Sequence, residues 1–419
     1  MSSIRTFCRI LPLILVIAIP SASFAEDAAR GKITGPIWVR HAIDDFASGA
    51  DGVRLADLNE DGRPDIATGW EEAGITRVYL HPGTSKVKER WPAVAVGRTP
   101  SVEDAVLIDL DDDGRRDVVS SCEGGTKTVF VHWGPKDTAE LLEPNAWQGS
   151  PIKSSEKAGT WMFAVGMDLD DRKGVELVVG PKGGGDMVWF RTGENPRDLA
   201  AYEKFVISPT GWIMSIRAID MDDDGDTDLL ISDRKGSHRA CRWLENPGAD
   251  SPDALVKPWK NHNVGAVGRE VMFLTTGDVD RDGLEDVVAA VKPYDVMWFK
   301  RLDKTGDRWE LRTLVYPENT GNAKGVAVGD VTGDGRPDLV ISCEHAEGDK
   351  RGIVYLQQGK TPQDKWIARE LGGAAGIKYD RIELVDLDED GDLDVLTCEE
   401  NEGPGSRGLG VIWYENPTR

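Results

Sequence analysis

The chain has 419 residues, 40% of them hydrophobic, enough for one large repeat domain or two to three ordinary ones. Its formal net charge of −23 argues against nucleic acid or an anionic membrane surface as a partner. Five cysteines without a CxxC pair point to packing or metal, rather than a disulfide scaffold, as the source of cohesion.

Residues 1–25 read as a secretory signal. Arg5 and Arg9 precede the apolar run LPLILVIAI, and Ser23-Phe24-Ala25 places small residues at the −3 and −1 positions of a cleavage site. Cleavage removes both arginines, takes the charge from −23 to −25 and predicts a secreted or periplasmic protein. No later run approaches the roughly 20 apolar residues of a membrane span, so no membrane insertion is expected and residues 26–419 form a single domain.

The first element after the signal is a strand-like run, PIWVRHAI. Seven copies of one acidic stretch follow, beginning at Asp57 (DLNEDGRPD), Asp109 (DLDDDGRRD), Asp168 (DLDDRKGVE), Asp220 (DMDDDGDTD), Asp278 (DVDRDGLED), Asp330 (DVTGDGRPD) and Asp386 (DLDEDGDLD). Their spacings run from 52 to 59 residues, the mark of a repeat architecture. In each copy an apolar segment such as AVLI precedes the acidic stretch, and a β-branched run such as DVVS or DLVIS follows it. A third segment comes next (RVYLH, TVFVHW, MVWF, VIWYENP), and a fourth often opens on an aromatic (RWPAVAV, AYEKFVI, KWIAREL). Short aromatic runs separated by Gly, Pro, Asn and Asp are strands, and four strands per unit make one propeller blade.

The predicted fold is therefore all-β: a seven-bladed β-propeller of four-stranded blades. The seventh unit stops at its third strand, VIWYENPTR, and PIWVRHAI supplies the fourth, closing the ring and removing an open sheet edge. A parallel β-helix, the rival architecture, has rungs far shorter than fifty residues.

The acidic stretches follow D-x-[D/N]-x-D-G-x-x-D. Oxygen donors at positions 1, 3, 5 and 9 and a turn-permitting Gly at 6 suit Ca²⁺, and the absence of His and Cys agrees. The candidate ligands are Asp57, Asn59, Asp61 and Asp65; Asp109, Asp111, Asp113 and Asp117; Asp220, Asp222, Asp224 and Asp228; Asp278, Asp280, Asp282 and Asp286; Asp330, Asp334 and Asp338; and Asp386, Asp388, Asp390 and Asp394. Metal-free Asp- and Gly-rich hairpin turns are the alternative. The third copy carries Arg172, Lys173 and Glu176 at positions 5, 6 and 9 and is expected to hold no calcium, leaving up to six sites. Thr332 at position 3 weakens the sixth.

With these loops and strands, residues 36 to 417 resemble the FG-GAP or VCBS repeat family, which includes the calcium-binding propeller of integrin α-subunits. The resemblance implies that each calcium loop joins the first and second strands of its blade, on the face opposite the usual ligand site. It is nearly silent about function.

Chemistry is expected where the copies differ, at the start of each first strand and in the turn after each second strand. Those positions supply Glu103, Asp104, Glu123, Trp161, Lys182, Trp212, Arg234, Lys235, Arg269, Glu270, Lys324, Glu344, His345, Lys378, Asp380, Arg381 and Glu399. Dense charge of both signs beside tryptophans suits a glycan or protein ligand, with a solvated rim of mutually paired charges as the bland reading. Met162, Met214 and Met272 stand at one equivalent position, six residues before the first loop Asp, and read as channel lining. His345 beside Glu344 is the best acid–base pair available to an enzyme, and the aromatic fourth strands faintly resemble propeller portions of carbohydrate lyases and aldos-2-ulose dehydratase. No GxSxG, HExxH or phosphate-cradling loop is present. The sequence thus predicts a monomeric calcium-binding propeller that binds a ligand, with a carbohydrate lyase or dehydratase as the alternative.

Overall fold

The computed structural model describes residues 30–170, 172–400 and 406–418. The secretory signal predicted at 1–25 lies outside them. Seven four-stranded antiparallel sheets follow one another around a ring. Blades 1 to 6 have first strands Ala50–Ala56, Val102–Ile108, Trp161–Met167, Ile213–Ile219, Val271–Gly277 and Asn322–Gly329, and blade 7 opens with Lys378–Val385. These first strands meet those of neighbouring blades and line the central channel. Among the described residues no helix is long and apolar enough to cross a membrane.

The second strands are buried along their whole length, as Asp117–Cys122 and Asp228–Asp233 illustrate. Flanked by sheet neighbours and covered on both faces by adjacent blades, they read as continuous β-branched runs rather than alternating ones. In blades 3, 4, 5 and 7 the third strand sets a Trp opposite one apolar residue of the second, pairing Trp189 with Val178, Trp243 with Leu230, Trp298 with Val288 and Trp413 with Leu396. All four indoles are at most 1% exposed, a gross burial gain of about 4–6 kcal/mol each.

Closure occurs as the sequence predicts. Val39–Asp44 pairs antiparallel with Gly410–Glu415, setting His41 against Trp413, whose rings stack at 4.6 Å. The strand starts at Val39 rather than Pro36, because the residues before it do other work. Thr34 bridges to blade 6, its N–H donating to Ala368 O (3.2 Å) and its carbonyl accepting from Glu370 N (2.9 Å). Arg30 donates to the Tyr316 and Pro317 carbonyls, so the segment before the closing strand straps blades 5 and 6. Cys122, Cys241, Cys343 and Cys398 are buried and unpaired, so Cys343 and Cys398 do not join their adjacent blades.

Candidate functional site

The acidic loops join first to second strands in every blade. In the first, the position-1 carboxylate of Asp57 accepts the N–H groups of Asp61 (3.2 Å) and Gly62 (2.8 Å), and Asp61 accepts that of Arg63 (2.9 Å). The same ring of bonds recurs at Asp109, Asp278, Asp330 and Asp386. The position-6 glycines, Gly62, Gly114, Gly225, Gly283, Gly335 and Gly391, have φ between +81° and +98°, which explains the requirement for glycine.

Position 9 does more than the pattern suggests. Asp228 is buried, and its two oxygens accept Met221 N (2.9 Å) and Asn246 N (2.7 Å), fastening the loop to the end of the third strand. The corresponding Asp makes both bonds in five of the six regular copies, Asp338 keeps the second, and Glu176 keeps the first in the third copy. In the sixth copy Thr332 Oγ1 supplies the donor to Asp338 (3.1 Å). Burial pushes Asp117, Asp228 and Asp394 up to about 7, and Asp65, Asp286 and Asp338 up to about 6. A cation against these oxygens would reverse that shift.

The loops fit such a cation. The Oδ1 atoms of Asp111, Asp222, Asp280 and Asp388, all at position 3, are buried and accept no hydrogen bond. Carboxylates of Asp109, Asp111 and Asp117, of Asp220, Asp222 and Asp228, and of Asp278, Asp280 and Asp282 converge within 4.8 Å. Acceptor oxygens buried without donors are costly unless a cation meets them. Arg197 reaches Asp111 and, at 2.9 Å, Asp113, while Lys300 reaches Asp280 and, at 2.7 Å, Asp282. In the third loop Arg172 Nε lies 3.3 Å from Asp170, a guanidinium beside the donor set.

On the opposite face the channel opens into a pocket of about 340 Å³. One wall is Trp212, with Lys182 Nζ 5.0 Å and Arg234 Cζ 4.4 Å from its ring centroid. Lys182 also meets Glu103 (3.2 Å) and Glu123, and Glu270 binds Arg234 and Lys235. The other wall is buried charge: Lys324 lies 3.2 Å from Asp380 and 4.0 Å from Glu344 and from Glu400, with Lys378 on Glu400 and Lys292 on Glu344. Phe163 of blade 3 and Phe273 of blade 5 also line the pocket and meet edge to face across the channel at 5.5 Å.

Carboxylate atoms of Asp51, Asp380 and Glu400 lie within 4.8 Å of one another. Burial and the neighbouring Glu400 and Asp380 push Asp51 well above the carboxylate range, and burial pushes Glu400 up to about 8. For Asp380 burial is outweighed by Lys324 and by hydrogen bonds from Asp51 and Glu400, so its charge is held down in pKa and kept. Burial opposes the charge of Lys324, and Asp380 and Glu400 restore it. Lys292 differs: burial, with Arg234 and Lys324 nearby, pushes it down to about 8.

Of the predicted ligand-face residues, Glu103, Lys182, Trp212, Arg234, Lys324, Glu344, Lys378 and Asp380 come together in the pocket. Glu123, Lys235 and Glu270 pair with it from the rim, and Arg269 turns aside to Asp295 (2.6 Å). Five expectations need correction. Trp161 is 1% exposed and packs between blades, so it offers no platform. Asp104 and Arg381 face the channel beyond the pocket, held by Arg54 (2.8 Å) and Glu383 (2.7 Å). Glu399 accepts backbone N–H groups of Ile377 (2.8 Å) and Leu409 (2.7 Å), bracing the last turns. His345 is 51% exposed, with Nε2 3.7 Å from Glu344, and is not part of the pocket wall.

The sequence reading missed Asp51, Glu71, Glu400, Phe163 and Phe273. Asp51 had a signal. It stands six residues before Asp57, the position that Met162, Met214 and Met272 share with Glu103, Lys324 and Asp380. One register of the repeat thus makes a ring around the channel, polar in blades 1, 2, 6 and 7 and methionine in blades 3 to 5.

The profile of the FG-GAP-like repeat matches residues 57–120 and 257–341. No curated protein sequence matches the chain. Among solved structures, the crystal structure of BBS1N in complex with ARL6DN, soaked with mercury, aligns at TM-score 0.52 and 10% identity, covering 92% of this chain and 99% of that one. The lead-soaked crystal of the same complex aligns at TM-score 0.51 with the same identity and coverage. At this identity the likeness extends to the propeller fold alone.

Proposed function

The chain is a seven-bladed propeller carrying FG-GAP-like repeats, and on that premise we propose that it is a secreted, calcium-stabilised, monomeric binding protein. Its ligand is a polar molecule, a glycan, seated in the pocket opposite the acidic loops. The observation that carries this reading is Trp212. Its half-buried indole forms a pocket wall between two cations, beside ionised and protonated carboxyls that can accept and donate hydrogen bonds to hydroxyl groups. The loops on the far face hold calcium through their position-1, -3 and -5 carboxylates and keep the blades in register.

A glycan array on calcium-loaded protein, followed by calorimetry on each hit, tests the proposal. Trp212→Ala should weaken binding about tenfold or more while shifting stability little, because the indole is partly exposed. Unaltered affinity in that variant, or a protein ligand retained where no glycan binds, overturns the glycan reading.

A carbohydrate lyase or dehydratase is the second reading, favoured by one observation. Glu400, pushed up to about 8, and ionised Asp380 share the pocket, and carboxyls driven apart in this way can divide acid and base roles. Product formed from an array hit, and lost in Glu400→Gln, would select this reading.

A further inference from the structure

Beyond the Phe163–Phe273 contact the channel continues to the loop face through two cavities of about 220 and 620 Å³, which share Arg381 and Glu383 in their walls. The arginines lining these two cavities include Arg54 from blade 1, Arg381 from the adjoining blade 7 and Arg217 from blade 4 across the channel. Two are satisfied. Arg54 grips Asp104 with two bonds of 2.8 Å, and Arg381 Nε donates to Glu383 at 2.7 Å. Arg217 is half-buried and, among the described residues, makes no hydrogen bond and no ion pair within 4 Å.

In the smaller cavity the guanidinium groups of Arg217 and Arg381 face one lining carboxylate, that of Glu383. Burial and then the neighbouring Arg381 disfavour the charge on Arg217; Glu383 and Glu285 favour it, and Arg54 opposes it again, leaving its pKa below the usual arginine value. A partly buried guanidinium that makes no hydrogen bond is costly, and its five N–H donors in a planar fork match a carboxylate or a tetrahedral oxyanion. Ser215, two residues earlier on the same side of the strand, lines the same cavity. Its Oγ accepts Leu274 N at 3.1 Å, which leaves the hydroxyl proton to donate inward. The smaller cavity has aliphatic walls in Val326, Val328 and Leu384 and has room for a small anion.

We propose that the loop-side half of the channel binds one small oxyanion, held by Arg217 and Ser215 and facing Arg381. This inference does not rest on the glycan reading, since the aromatic contact separates the two sites. Calorimetry with sodium sulfate, and separately with sodium acetate, on the calcium-loaded full chain at fixed ionic strength tests it. One anion per chain should bind, at least tenfold more weakly in Arg217→Met. Sulfate bound more tightly than acetate would indicate inorganic oxyanion as the ligand, and the reverse order a carboxylate. The methionine variant should also melt no lower than the parent in anion-free buffer, because it removes a half-buried cation that makes no hydrogen bond. If methionine prevents folding, Arg217→Gln carries the same comparison. Equal binding by parent and variant, no binding at millimolar anion, or binding lost instead in Arg234→Met would overturn the proposal.

Discussion

The two faces of this propeller are built from the same strands and obey opposite rules. On the loop face a nine-residue pattern recurs with nearly the same side chains, and most copies make the same bonds, down to the buried Asp that ties loop to third strand in all but the third. On the other face one register carries Asp51, Glu103, Lys324 and Asp380 on one side of the channel and Met162, Met214 and Met272 on the other. Repetition marks what every blade needs in order to stand. On the proposed reading, departure from it marks what a single ligand needs, because a seven-fold ring of identical groups has no orientation to impose.

If the loops hold calcium as proposed, its removal should produce the largest effect. A site with calcium at 100 times its dissociation constant adds about 2.7 kcal/mol to native stability, and several such sites act together. Chelation should lower the melting midpoint by about 10 °C or more, and elemental analysis should find up to six calcium ions per chain. An unchanged midpoint with no metal would leave the loops as hydrogen-bonded turns.

Lys324→Met should come next. The lysine is 6% exposed and meets Asp380, Glu344 and Glu400, so its removal strands buried carboxylates at a cost of about 3–5 kcal/mol at neutral pH. The loss should shrink as pH falls and those groups take up protons. Chemical denaturation at pH 5 and pH 7.5 checks this, and a deficit equal at both values would mean that lost packing dominates.

Glu400 should leave a smaller mark, visible in slope. Burial raises its folded pKa from 4.5 to about 8, so the folded protein binds the extra proton between those values and stability falls as pH rises through the window. The slope from one such group is at most about 1.4 kcal/mol per pH unit. Glu400→Gln, measured with calcium in excess, should flatten it and favour the variant at the alkaline end. A steeper slope in the variant would show that Asp51 holds the shared proton.

Blade number, ring closure and loop placement were legible in the sequence because each rests on a period and a local pattern. The strap through Arg30 and Thr34 was not, since one arginine side chain on carbonyl oxygens and one backbone bridge carry no motif. Half of the pocket was legible from where copies differ. Trp161 misled because it starts a first strand as Trp212 nearly does, yet an indole one step along the strand turns between blades instead of over the pocket. Glu400 escaped notice because it follows Glu399, and pleat alone decides which of two adjacent glutamates faces the channel.

The third loop should give the smallest effect on stability and the clearest effect on composition. Arg172 is 57% exposed on the side chain and stands 3.3 Å from Asp170, so Arg172→Ala should cost less than about 1 kcal/mol and leave bound calcium unchanged. Restoring the repeat pattern with Arg172→Asp and Lys173→Gly supplies the missing carboxylate and the glycine that the turn requires. That double variant should bind one calcium more than the parent. If the count stays the same, Glu176 is the reason: its longer side chain keeps the bond to Leu169 N at 3.0 Å but cannot stand in for the Asp that fastens the other six loops at both ends.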